Sequence, residues 1–250
     1  TSYICPNKNC GHKSKIVENI KKNGNPNEHM YAVEYYCPHC EKKYYKKTDS
    51  FDVTLFKSAK QEYEKVKSDW AGQYIPNSKI PKGDETYPRL IENHGYKYWE
   101  DMFNERQLLN LGKLLKAILD LKVDSNIKEF SLLAFSKALE YNNMLCEYNR
   151  KNSYIRDLFR MHAYHPSLNP VENNLWGAKF GFGTFKNHFG KNLKYKEYNK
   201  TPFEKYVNSN GKNEKKYMKI NVIGKIGDFF KNDNYNAIIN CGDSSYITIP

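Results

Sequence analysis

The sequence predicts an α+β chain: an N-terminal zinc ribbon, a central antiparallel helix pair, and an irregular basic C-terminal part that ends in one strand of an incomplete α/β sheet. Three observations predict it. Two closely spaced cysteine pairs, Cys5/Cys10 and Cys37/Cys40, flank a stretch with hairpin signals. Two apolar stripes of helical period, each opened by a capping signal, follow between Asn104 and Tyr148. Lysines interleaved with aromatics then crowd 185–219, and the apolar run Ala237-Ile238-Ile239 leads into Gly242-Asp243. The expected divisions are 1–50 for the ribbon, 51–148 for a helical region with a Pro/Gly linker at 75–88, 149–234 for the basic aromatic region, and 235–250 for the start of a buried strand.

The ribbon rests on chemistry as well as spacing. Two short turns that each offer two thiolates suit one tetrahedral zinc ion, with Cys5, Cys10, Cys37 and Cys40 as the ligands. Pro6, Gly11 and Pro38 beside them are residues that tight turns favour. Asn23-Gly24-Asn25-Pro26 reads as a turn, and Met30 to Tyr36 as a strand that ends on the second pair. His12 and His39 are neighbours of the ligands rather than expected ligands. A disulfide framework is the competing reading; it is disfavoured because no secretory segment precedes the quartet and Cys146 and Cys241 stand outside it as ordinary thiols.

At 250 residues the chain can bury a sizeable core. Its formal charge of +12 favours a polyanionic partner. No apolar run approaches the roughly 20 residues needed to span a bilayer, so nucleic acid is expected ahead of membrane, and the chain is expected to be cytoplasmic. The sequence begins at Thr1, only a few residues before the first expected ligand, which suggests an excised piece of something longer.

Taken in order, Lys42 to Lys47 alternates cation and aromatic pairs; it reads either as a nucleic-acid contact or as an edge strand guarded by lysine. A charged helix is expected over 52–70 with Leu55, Phe56, Ala59, Tyr63, Val66 and Trp70 on one face. Prolines and Gly83 break periodicity at 75–88, giving a linker or an ordered loop. A helix over 104–122 should start at Asn104 with Gln107 reaching back, and a second over 126–148 at Asn126 with Glu129 reaching back. The second should carry Phe130, Leu133, Ala134, Ala138, Tyr141 and Leu145 on one face, and Leu111, Leu115, Phe130, Leu133 and Leu145 should be buried between the two. The glycines Gly177, Gly181 and Gly183 do not have the spacing of a phosphate-binding loop. Between Lys186 and Lys219 ten lysines stand against three glutamates, with Phe189, Tyr195, Tyr198, Phe203 and Tyr206 among them, a mixture able to neutralise phosphates and stack on bases. Lys186, Lys191, Lys194, Lys196, Lys200 and Lys205 are the expected nucleic-acid contacts.

Several stretches together resemble the adenine-specific DNA methyltransferases that contain a zinc ribbon. They are the cysteine pairs; Ile80-Pro81-Lys82-Gly83-Asp84-Glu85-Thr86; His94-Gly95 with Trp99; Met102 to Leu108; Ala134-Phe135-Ser136; Tyr141-Asn142-Asn143-Met144-Leu145-Cys146; His162 to Pro166; Glu172-Asn173-Asn174; and Gly181-Phe182-Gly183-Thr184-Phe185. The resemblance implies methyl transfer from S-adenosylmethionine to adenine N6 of double-stranded DNA. It also implies that the strand at 235–250 belongs to a methylase core. The family's Gly-rich cofactor turn and its Asp-Pro-Pro-Tyr motif do not occur in the chain. On this resemblance the chain is the target-recognition insert, the remainder of the methyltransferase core is its partner, and the chain alone is catalytically inactive. Asp243 is the one residue the resemblance carries toward the cofactor. The service could be restriction-modification or phage defence. The alternative is a self-contained zinc-ribbon protein that binds nucleic acid or acts as a scaffold.

Overall fold

The computed structural model describes residues 2–24, 28–83, 87–167, 169–178, 181–218, 224–226 and 237–239. Asp243, Cys241, Lys219, the Asn25-Pro26 part of the expected turn and Asp84-Glu85-Thr86 lie outside the described residues. The architecture is mixed α+β, with small, mostly antiparallel sheets. The chain divides into two units, 1–190 and 191–250.

The first unit opens with strands β1 (Ser2–Ile4) and β2 (Lys13–Lys15), paired antiparallel, then helix α1 (Ile16–Asn23). Strands β3 (Ala32–Cys37) and β4 (Lys42–Lys47) form a second antiparallel hairpin with Cys37 opposite Lys42. Helix α2 (Ser50–Trp70) starts where Asp49 and Asp52 cap each other reciprocally, and it buries Tyr63. Phe56 lies under the Arg106 guanidinium, whereas Leu55, expected on the same face, is exposed.

Helix α3 (Glu105–Asp120) has the cap the sequence predicts. Asn104 Oδ1 accepts the Gln107 N–H at 2.9 Å, and Gln107 Oε1 accepts the Asn104 N–H at 3.1 Å. Leu108 and Leu109 pack with Tyr63 and Ile75, so α3 faces α2 on one side. Gly112 lets them approach, since a Cβ there would stand 2.7 Å from the Trp70 ring. On its other side Leu111 and Ile118 pack against α4 (Ser125–Leu139).

Three expectations for α4 are corrected. Its cap is Asp124, whose carboxylate accepts the Asn126 N–H at 2.9 Å, rather than Asn126 itself. Of its expected stripe Ala134 and Ala138 are buried, but Ser131 and Phe135 complete that face, which turns Leu133 to solvent at 63% exposure and leaves Phe130 partly buried. It ends at Leu139 and not at 148, because the amides of Asn142 and Asn143 take the carbonyls of Ala138 and Leu139 at 2.7 and 2.8 Å. Leu145 is fully buried, as expected, but in the turn that follows, while Leu115 is only partly buried. Strands β5 (Glu147–Asn149) and β6 (Tyr154–Arg156) then pair antiparallel.

The proline-rich stretch at 75–83 is an ordered loop. Ile80 is buried with Leu90, Met102, Leu145 and Leu158, and its N–H reaches the Lys97 carbonyl at 2.9 Å. Helix α5 (Phe185–Lys200) begins in the first unit, where Phe185 and His188 are buried, and ends in the second. Strands β7 (Phe203–Val207) and β8 (Asn213–Tyr217) form an antiparallel hairpin. The expected C-terminal strand is present as β10 (Ala237–Ile239), and it has a partner within the chain: it pairs parallel with β9 (Gly224–Ile226).

Candidate metal centre and nucleic-acid interface

The two cysteine pairs lie at hairpin turns. The first turn is closed by the Cys5 N–H on the His12 carbonyl and the Cys10 N–H on the Asn7 carbonyl, both at 2.9 Å. In the second, backbone and thiol bonds from Cys40 and the His39 N–H hold the Cys37 thiol below its usual range, an arrangement suited to a thiolate. Cys10 and Cys40 are exposed, Cys5 and Cys37 partly so. Among the described residues no group of three or more His, Cys, Asp or Glu side chains is gathered closely enough to hold a metal ion. The four expected ligands thus stand as two pairs, on hairpins that belong to separate sheets. Cys146 is fully buried, and burial raises its thiol to about 12.

Of the expected nucleic-acid contacts, Lys186 is the second residue of α5, within the first unit, and is exposed. Lys191, Lys194, Lys196 and Lys200 are exposed along the rest of that helix. Helical period divides them: Lys191 and Lys194 share a stripe with Tyr195 and Tyr198, and Lys196 and Lys200 lie on the far side. Tyr198 ties helix to hairpin, its hydroxyl donating to the Phe203 carbonyl at 3.1 Å and its ring meeting Phe203 edge-on. Lys205 is exposed on β7. Sequence reasoning placed Lys215 in the basic window but could not see that the register sets it directly opposite Lys205.

The alternative strand, Lys42–Lys47, has its inward lysines engaged. Lys43 binds Glu34 and the Ser153 carbonyl at 3.1 and 2.9 Å, and Lys46 binds Asp49 and Asp52 at 2.9 and 2.8 Å. A tyrosine of that strand is engaged as well, Tyr45 meeting Tyr148, whose hydroxyl donates to Glu34, while Lys42 and Lys47 stay exposed.

Four of the stretches that carry the family resemblance converge in the first unit. Arg106 donates to Glu172 Oε2 at 2.7 Å through Nε, and Asn104 donates to the same carboxylate. Met144 N–H reaches the Met102 carbonyl at 2.8 Å. Asn142 donates to the Gly183 carbonyl at 3.1 Å, and Asn173 to that of Phe182 at 2.8 Å. Gly183 has φ +75°, and a Cβ there would lie 2.2 Å from Tyr141 Cγ, so the residue is required both by conformation and by space. The sequence marked these residues singly; the Arg106–Glu172 pair that joins them carried no sequence signal. His94 lies near His165, and burial first, then that neighbour, holds its imidazole below the usual range.

No known protein family, curated protein or solved structure matches the chain. No helix among the described residues is long and apolar enough to cross a membrane.

Proposed function

We propose that this chain is the DNA-contacting, target-recognition part of an S-adenosylmethionine-dependent adenine-N6 methyltransferase. The observation that carries the DNA-contacting part of the reading is the helix and hairpin from Lys191 to Tyr217, whose lysines and tyrosines are exposed with little core beneath them. A surface so charged costs self-repulsion, which a polyanion relieves. Lysines neutralise phosphates and exposed tyrosines offer faces on which bases stack. The methyltransferase part of the reading rests on the sequence resemblance, whose stretches Met102–Leu108, Tyr141–Cys146, Glu172–Asn174 and Gly181–Phe185 lie together in the first unit.

S-adenosylmethionine would supply the methyl group, and adenine in a duplex must leave the stack to receive it. This chain's part is to hold the phosphates and fix the register of the duplex. Cys5, Cys10, Cys37 and Cys40 would hold a structural zinc ion only where the two hairpin turns close on one another, and the ion would then contribute on the order of 10 kcal/mol to a lobe of two small hairpins and α1. Elemental analysis of the protein and of Cys37→Ser tests that part: metal in the former and its loss in the latter are expected.

The reading is tested by titrating a labelled mixed-sequence duplex with the wild type and with Lys191→Ala/Lys194→Ala/Lys196→Ala. The variant should bind all duplexes more weakly, with a logarithmic salt slope lower by roughly three, about one for each phosphate no longer neutralised. Equal binding across the titration would reduce the basic surface to a solvated face. Methyl transfer to DNA by the chain alone should be absent, and turnover would overturn the assignment of catalysis to other residues.

A further inference from the structure

The hairpin β7–β8 has two unlike faces. Its register pairs Phe203 with Tyr217, Glu204 with Lys216, Lys205 with Lys215, Tyr206 with Glu214 and Val207 with Asn213. Because successive side chains alternate, one face carries Phe203, Lys205, Val207, Asn213, Lys215 and Tyr217, and the other Glu204, Tyr206, Glu214 and Lys216. The first face has two lysines and no acid. The second has two glutamates and one lysine, and its polar groups are spent on one another: the Tyr206 hydroxyl donates to Glu214 at 2.6 Å, and Asn208 donates to the same carboxylate. The basic character of the hairpin is therefore one-sided, which composition alone does not reveal.

On the basic face Lys205 and Lys215 stand directly across from each other. Like charges at directly opposed positions disfavour the pairing, and an anion between them removes the cost. Lys215 Nζ sits 4.2 Å above the Phe203 ring, which orients it without neutralising it. The tip is fixed in advance: Asn208 Oδ1 accepts the N–H groups of Asn210 and Lys212, both at 3.0 Å, and Gly211 takes φ +73°. The result is a two-stranded ribbon with an ordered tip and strands of about 17 Å, the kind of element that the major groove, about 12 Å wide, admits.

Resting on the DNA-binding reading above, we infer that the face bearing Lys205, Asn213 and Lys215 enters the major groove of duplex DNA, with the two lysines on phosphates and the Asn213 carboxamide on a base edge. A carboxamide matches the N6/N7 edge of adenine with one donor and one acceptor. The opposite face, with Glu204 and Glu214, is turned to solvent.

The test uses the full chain and a fluorescein-labelled duplex in two forms, one with unmodified cytosine and one with glucosylated 5-hydroxymethylcytosine, whose sugars fill the major groove. Netropsin, which fills the minor groove, is the control. Lys205→Ala/Lys215→Ala should lower the salt slope by about two, Lys205→Arg/Lys215→Arg should retain it, and Lys216→Ala should leave it unchanged. Wild-type affinity should fall at least tenfold on the glucosylated duplex and hold in netropsin. If the glucosylated duplex binds as well, or Lys216→Ala costs as much as a lysine of the other face, the inference is wrong. The DNA-binding reading would survive that result provided the α5 lysine variant still weakens binding. Absence of any duplex binding by the wild type would overturn both.

Discussion

The junction around Gly183 and the hairpin β7–β8 are built on opposite terms. At the junction, Asn142, Asn143 and Thr184 are buried and their polar groups are bonded to nearby backbone. In the hairpin every residue of β8 is exposed, and Phe203 meets the ring of Tyr217 across the strands and that of Tyr198 from α5. The first region tolerates little because each buried amide depends on its partner. The second can change its surface with little effect on folding, and it sets two like charges, Lys205 and Lys215, directly opposite each other.

The sharpest way to break this contrast is Gly183→Ala. The added methyl group meets the Tyr141 ring at a backbone conformation that alanine disfavours, so a loss of about 3 kcal/mol is expected in urea unfolding. A loss no larger than that of a surface substitution would show that the junction is loose. Next, Leu145→Ala should cost about 3 kcal/mol and Leu133→Ala less than about 0.5, although both are leucines of the same apolar stretch. Equal losses would mean that α4 presents a different face.

A smaller effect is expected from pH. Because the folded state holds His94 below its usual range, the unfolded chain takes up a proton first as pH falls. The contribution of neutral His94 to stability is full above about pH 6.5 and is lost below it, as the unfolded chain protonates. His94→Gln should flatten the stability profile in that acid window, and a profile as steep as the wild type's would assign the slope to other groups. Smallest of all, Lys215→Ala should change thermal stability by less than about 0.5 kcal/mol, whatever it does to DNA binding.

How far the sequence was legible follows the same contrast. The α3 cap was readable because Asn104 and Gln107 act locally, three residues apart. The end of α4 was not, since apolar spacing continued through Leu145 while Asn142 and Asn143 withdrew the backbone carbonyls from the helix. Leu133 was misplaced for a related reason: the expected stripe had Ala134 and Ala138 right, but it took the apolar Phe130 and Leu133 where the buried face runs through Ser131 and Phe135. Of the candidate sites, the cysteine turns could be read from spacing, and the lysines from composition. Which lysines share a face depended on the β7–β8 register, a property of the turn at Asn208 that charge counting does not reach.

On the proposed function, the helix and hairpin from Lys191 to Tyr217 meet duplex DNA through phosphate contacts. The most direct test is the dissociation constant of the wild-type chain for a mixed-sequence duplex, measured across a range of salt concentrations. With contacts from α5 and the basic face of the hairpin, the logarithmic plot should be linear with a slope of about −4 to −6, near −0.9 for each phosphate. A slope near zero, or no measurable binding at low salt, would contradict the account.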